Sequence, residues 1–271
     1  MTTPLARTAP AFRPKAFDTS LRVFSSQIDA LWREYPPEVA IILDRLLRQE
    51  GEPVFTSFGC QEAVFPRLSL GGEGKDLLRV GIFGGFDLEP AGTLTRLGNL
   101  PDILRAEYPL LLKELSLRLY PIANPLAFTG SWQSLPGQTL RRRLWRAEER
   151  ADTYYLKREL GVQRFQLLFL LSANPAEPAS ISASSRVITE EVLQPVLERL
   201  SGQEIALTGW KEGDSFLQNA AGADIGTVLT PFPSEIRINY PLPADPGRNL
   251  ARLLGALLRE YRTFLSFREN L

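Results

Sequence analysis

Apolar residues follow one another along the chain in two spacings, one typical of strands and the other of amphipathic helices. Short apolar runs predict strands at 54–58, 63–70, 77–83, 115–122, 164–171 and 235–240. Stretches between and after these runs predict helices at 89–98, 101–114, 140–159 and 187–200. Because strands alternate with helices and several strands are apolar on both faces, the pattern predicts an α/β domain around a largely parallel or mixed sheet.

The two ends of the chain differ from this central pattern. Prolines recur within residues 1–18, which predicts a flexible N-terminal arm, and helical spacing follows at 21–31 and 39–47. The last predicted helix carries one apolar stripe, formed by Leu250, Leu253, Leu254, Leu257, Leu258, Tyr261 and Leu265. No long polar linker divides the remainder, so we expect a single domain over 19–271.

The composition excludes several classes of function. The chain has 31 basic and 31 acidic residues, and its basic cluster at 141–146 is followed at once by acidic residues, so we expect no nucleic-acid partner. Cys60 is the only cysteine, which rules out an intrachain disulfide. No apolar run is long enough to span a membrane, and no signal sequence is evident at the start. We therefore expect a cytoplasmic protein with no membrane partner.

Familiar nucleotide and nucleophile motifs are incomplete. The string GGEGKD at 71–76 lacks the earlier glycine and the following Ser or Thr of a phosphate loop, because Ser69 and Asp76 occupy those places. The string GIFGGF at 81–86 ends in Phe86, where a dinucleotide motif needs glycine. There is no GxSxG elbow, and the chain contains no histidine to act as a base. Glycoside hydrolysis by a pair of carboxylates remains an open hypothesis, because nothing in the sequence selects which two carboxylates would act.

The ends of three predicted strands are the best candidates for a site. In α/β sheets, ligands bind outside the carboxyl ends of the strands. Here those ends are 84–89, 172–174 and 239–241. The strings around them are GGFDLEPAG (84–92), LRLYPIANP (117–125), LLFLLSANPAEPAS (167–180) and IRINYP (236–241).

This order of strings resembles the zinc carboxypeptidases and the related succinylglutamate desuccinylase and aspartoacylase-like amidohydrolases. The resemblance spans roughly residues 77 to 260, and its firmest parts are the Glu-Pro-Ala-Gly string at 89–92 and the Pro-x-x-Asn-Pro string at 121–125. It implies a three-layer α/β/α sandwich with a mixed, mostly parallel central sheet of about eight strands.

The resemblance also implies a role for particular positions, and most of those positions have changed. Glu89 stands where the family has its glutamate zinc ligand, and Arg146 stands where it has an arginine that polarises the substrate carbonyl. Phe86 and Ser172 replace the two histidine ligands, and Asn239 replaces the glutamate that activates water. Tyr154 and Tyr155 lie where an Asn-Arg pair would bind a terminal carboxylate.

These replacements predict the loss of catalysis. A catalytic zinc needs three protein ligands drawn from His, Cys and carboxylates, and an asparagine cannot accept the proton of a bound water. We therefore expect no metal and a catalytically inactive protein whose groove binds a small peptide, an acylated amino acid or a protein partner.

Two other hypotheses are open at this stage. Asp87, Glu89 and nearby carboxylates could hold Mg²⁺ or Mn²⁺ in an altered hydrolase. A structural or oligomeric role could instead use the C-terminal stripe or an aromatic-rich segment formed by Trp132, Trp145, Tyr154 and Tyr155. Each position also has a simpler interpretation: Glu89 as a first-turn helix residue, Phe86 as a core side chain and Arg146 as an exposed arginine.

Overall fold

The fold is taken from a computed structural model of the chain. It describes residues 51–58, 61–72, 74, 76–85, 91–123, 159–174, 177–200, 205–210, 233–241 and 247–269. The helical spacings predicted at 21–31 and 39–47, the arm at 1–18 and nearly all of the helix predicted at 140–159 lie outside these residues.

One sheet of eight strands forms the centre of the molecule. The strands are β1 (Gly51–Phe58), β2 (Gln61–Gly71), β3 (Leu78–Phe83), β4 (Leu115–Tyr120), β5 (Leu167–Ser172), β6 (Ser180–Ala183), β7 (Ala206–Leu207) and β8 (Ser234–Asn239). Their order across the sheet is β1-β2-β4-β3-β5-β8-β6-β7. The four neighbours β4, β3, β5 and β8 are parallel, whereas β1 with β2, β2 with β4 and β6 with β8 pair antiparallel. The predicted mixed sheet is therefore confirmed.

The described helices are α1 (Ala91–Glu107), α2 (Pro109–Leu112), α3 (Arg186–Ile188), α4 (Gln194–Arg199) and α5 (Arg248–Glu269). A π-helical turn over Thr189–Leu193 joins α3 to α4. This wider turn precedes Pro195, which has no N–H to donate to an earlier carbonyl. None of these helices is long and apolar enough to cross a bilayer.

Alternate residues of the central strands face a core that the helices cover. Leu117 and Leu119 of β4 and Ile236 and Ile238 of β8 are fully buried on this face. The apolar stripe of α5 packs here too, buried as far as Tyr261 and partly buried at Leu265. The intervening residues, including Tyr120 and Asn239, point to the opposite face. Helical residues at 159–163 lie against that opposite face, because Glu159 contacts Tyr120.

The structure corrects the predicted boundary between two helices. The pattern predicts separate helices at 89–98 and 101–114, with Pro101 starting the second, but α1 continues through Pro101 to Glu107. A proline inside a helix costs about 3 kcal/mol. Leu97, Leu100 and Leu104 all lie buried in the same core on either side of the proline, so packing of one continuous face outweighs this cost.

Candidate functional site

The carboxyl ends of the central parallel strands lie at one edge of the sheet. Phe83 of β3 pairs with Tyr120 of β4 and with Leu170 of β5, and Ser172 of β5 pairs with Asn239 of β8. The three strand ends predicted to form the site are therefore adjacent where the structure describes them. This edge is the candidate site.

The ends of β3 and β4 are joined by backbone hydrogen bonds. The Gly84 N–H donates to the Tyr120 carbonyl at 2.9 Å, and the Ala123 N–H donates to the Gly84 carbonyl at 2.7 Å. Gly85 has a φ of +63°, and a Cβ there would lie 2.5 Å from the Pro121 carbonyl oxygen. Glycine is thus required at the position where β3 leaves the sheet and the chain continues to Phe86.

Ser172 and Asn239, the predicted replacements for a ligand and the base, contact each other. The Ser172 hydroxyl donates to Asn239 Oδ1 at 3.2 Å, and the Asn174 N–H donates to the same oxygen at 2.9 Å. Ser172 is exposed, whereas Asn239 is only 7% exposed. Both acceptor directions of the Asn239 carbonyl are therefore used inside the protein.

The nitrogen of the same carboxamide holds the segment that follows β5. Asn239 Nδ2 lies 3.0 Å from the Pro178 carbonyl oxygen, 3.3 Å from that of Glu177 and 3.4 Å from that of Asn174. We call these contacts, together with those to Ser172 and the Asn174 N–H, the Asn239 network. The Asn239 carboxamide is buried and connects the backbone at Asn174, Glu177 and Pro178 to β8.

The other predicted site residues lie outside the described residues. They are Phe86, Asp87, Glu89, Trp132, Trp145, Arg146, Tyr154 and Tyr155. Their predicted roles remain predictions.

A buried ionic cluster near this edge was not predicted from the sequence. Glu159, 7% exposed, accepts a hydrogen bond from the Tyr120 hydroxyl at 2.8 Å and one from Arg67 Nη1 at 3.0 Å. The Tyr120 ring stacks on Phe83 with centroids 4.4 Å apart. Burial first, and then the neighbouring Glu159 carboxylate, raise the pKa of Tyr120 well above its usual value near 10. Arg67 provides the charge that compensates Glu159.

This cluster predicts how stability depends on alkaline pH. The pKa of Tyr120 is raised on folding. The stability that Tyr120 contributes is therefore fully present below about pH 10 and is lost as the pH rises through its folded-state pKa. Tyr120→Phe removes a hydrogen bond to a charged acceptor and should cost about 1.5–3 kcal/mol at neutral pH. The variant has no hydroxyl to ionise at this position. Urea unfolding should therefore show that the difference in free energy of unfolding between wild type and variant becomes smaller above about pH 10. A gap of constant size across this pH range would contradict the raised pKa.

The described side chains at this edge do not suit zinc. Ser172 presents a neutral hydroxyl and Asn239 a neutral carboxamide, and each forms hydrogen bonds within the protein. Among the described residues, no three His, Cys, Asp or Glu side chains lie close enough together to hold a metal ion. The chain as a whole has no histidine, the commonest nitrogen ligand of catalytic zinc.

Comparison with known proteins gives matches to solved structures alone. A scan against family models finds no match, and a search of curated proteins finds none. The metallo-carboxypeptidase from Burkholderia cenocepacia aligns over 83% of this chain and 68% of its own length, with a TM-score of 0.61 and 16% identity. The Pseudomonas aeruginosa metallo-carboxypeptidase, in complex with (2-guanidinoethylmercapto)succinic acid, aligns over 84% and 68%, with a TM-score of 0.57 and 17% identity.

The alignment with a mammalian structure covers a larger share of both chains. Bovine thrombin-activatable fibrinolysis inhibitor, in complex with tick carboxypeptidase inhibitor, covers 93% of this chain and 98% of its own, with a TM-score of 0.52 and 12% identity. Similarity at these identities shows the fold and not the activity. The predicted zinc-carboxypeptidase-like α/β fold is confirmed.

Proposed function

We propose that this chain is a catalytically inactive member of the zinc-carboxypeptidase family, and that its remnant groove binds a small peptide, an acylated amino acid or a protein partner. The Asn239 network is the observation that carries the proposal. A general base needs a free lone pair directed at the water it activates. The Asn239 oxygen instead accepts two hydrogen bonds from the protein, and its nitrogen faces three backbone carbonyls.

The chemistry of the remaining groups supports the same conclusion. A neutral carboxamide does not accept a proton near neutral pH, and a serine hydroxyl is a poor zinc ligand beside imidazole, thiolate and carboxylate. With no histidine in the chain, a three-ligand zinc site would need carboxylates alone. Exposed Ser172 and Asn174 still line the carboxyl edge of β5, and the Ser172 oxygen can accept a hydrogen bond from a polar ligand.

Metal analysis and activity assays test this proposal together. We expect purified protein, stripped with a chelator and equilibrated with zinc, to retain far less than one zinc per chain. We also expect no turnover of C-terminal amino-acid or N-acyl amino-acid substrates above the buffer rate. The same compounds should raise the melting temperature where they bind, because a ligand of the native state stabilises it.

Glu89→Gln is the matched control, since Glu89 is the retained ligand position that the resemblance implies. Zinc-dependent turnover that disappears in Glu89→Gln would contradict the proposal. Turnover that needs Mg²⁺ or Mn²⁺ and disappears in the same variant would favour a hydrolase with a carboxylate-only site at Asp87 and Glu89. That alternative draws support from the position of both residues directly after the end of β3.

A further inference from the structure

A groove lies between α2 and the C-terminal half of α5, away from the candidate site. Its volume is about 360 Å³, and it is lined by Leu110, Leu111 and Glu114 on one side and Arg259, Arg262 and Ser266 on the other. Glu114 directly precedes β4, so the groove lies at the amino ends of the parallel strands. The candidate site lies at their carboxyl ends, which makes the groove a separate feature.

Two leucines form the apolar part of this groove, and one of them is exposed. Leu110 is 74% exposed at its edge, while Leu111 beside it is buried and forms part of its floor. A concave surface with two leucines on one side and polar side chains on the other suits a segment that carries one apolar side chain among polar ones.

The carboxylates around the groove are in ion pairs, but some of the cations are not. Glu107 and Glu114 are each in an ion pair with an arginine of α5, at 3.1 Å to Arg248 and 2.8 Å to Arg262. Arg259 lies over the Tyr108 ring, with its guanidinium carbon 5.8 Å from the centroid.

Three cations remain after this pairing. Arg252, Arg259 and Lys113 are exposed, and none of them forms an ion pair with a described carboxylate. The surface around the groove therefore has a net positive charge, which attracts anionic partners.

We propose that this groove binds an acidic peptide segment of a partner protein, with one apolar side chain inserted beside Leu110 and Leu111. Carboxylates on either side of that anchor contact Arg259 and Arg252. Concavity favours a peptide over an anionic lipid surface, because a flat bilayer interface would leave the groove between α2 and α5 unfilled.

Binding of a defined probe tests this inference. The probe is a short, fluorescently labelled peptide of Asp and Glu residues with one central Leu. Its binding to the full chain is measured by fluorescence anisotropy. We expect saturable binding that weakens as salt is raised. Arg259→Glu should weaken it roughly tenfold or more, because a repulsion replaces an attraction, and Leu110→Asp should do the same.

Controls separate the inference from general charge attraction. Arg186→Glu makes the same charge change at an exposed position on α3 and should leave affinity unchanged. A peptide with Ala in place of the central Leu should bind more weakly. Equal binding of the Ala peptide, an equal effect of Arg186→Glu, or a preference for anionic phosphatidylserine vesicles that Leu110→Asp abolishes would each overturn the proposal.

Discussion

Replacement of Asn239 by aspartate is expected to lower the free energy of unfolding by about 3–5 kcal/mol, although the two side chains have nearly the same shape. The wild-type nitrogen donates toward the carbonyls of Asn174, Glu177 and Pro178. In the variant a carboxylate oxygen faces these three acceptors, so the carbonyls lose their donor and a buried charge meets like partial charges. Urea unfolding monitored by circular dichroism measures the difference.

The Ser172→Ala variant is the control for the first prediction. It removes one hydrogen bond at an exposed residue and leaves the Asn174 N–H on the same oxygen, so we expect a loss of about 0.5–1.5 kcal/mol. If Asn239→Asp were no more destabilising than Ser172→Ala, the carboxamide would not hold the backbone at Asn174, Glu177 and Pro178 as described. Amide hydrogen exchange over those residues gives a local measure of the same effect.

Gly85→Ala is expected to destabilise the protein by about 2–5 kcal/mol, the sum of a left-handed backbone and an overpacked contact. The added Cβ would lie 2.5 Å from the Pro121 carbonyl oxygen and 3.0 Å from the Ile122 Cα. Both are backbone atoms of the segment that leaves β4, so no side-chain rotation can relieve the clash. The ends of β3 and β4 must separate, which weakens the hydrogen bond between Ala123 and Gly84.

The chain offers a matched glycine for comparison. Gly161 lies in the helical residues 159–163, and a Cβ there meets no atom within 4 Å. Gly161→Ala should therefore be neutral or stabilising by up to about 1 kcal/mol, because alanine is the better helix former. Thermal unfolding of both variants under the same conditions checks the pair. Equal melting temperatures would show that the β3–β4 contact can relax without cost.

The regular elements were predictable to the extent that a single local property defines them. The strands β3 and β5 are mostly buried apolar residues, β4 and β8 alternate apolar with polar residues, and the stripe of α5 repeats at helical spacing, so all of these elements could be recognised in the sequence. Strands β6 and β7 were missed, because they have four and two residues and are defined by their pairing with neighbours rather than by their own composition.

The candidate site was predictable in position but not in arrangement. Strand order brings Ser172 and Asn239 to one edge, as expected for carboxyl ends of parallel strands. The partners of Asn239 are backbone carbonyls more than sixty residues earlier, and no residue type marks a backbone acceptor. The pairing of Arg67 with Glu159 joins residues 92 positions apart and has no local pattern either.

The position of β8 in the sheet affects how the chain matures during synthesis. Among the described strands β8 comes last in sequence, yet it lies between β5 and β6. While a ribosome is still translating the preceding residues, β5 and β6 each present an unpaired edge, and such edges attract strands from other nascent chains. Both edges stay open until β8 has been synthesised and has paired with them, so a chaperone that shields these two edges during elongation would raise the yield of native protein.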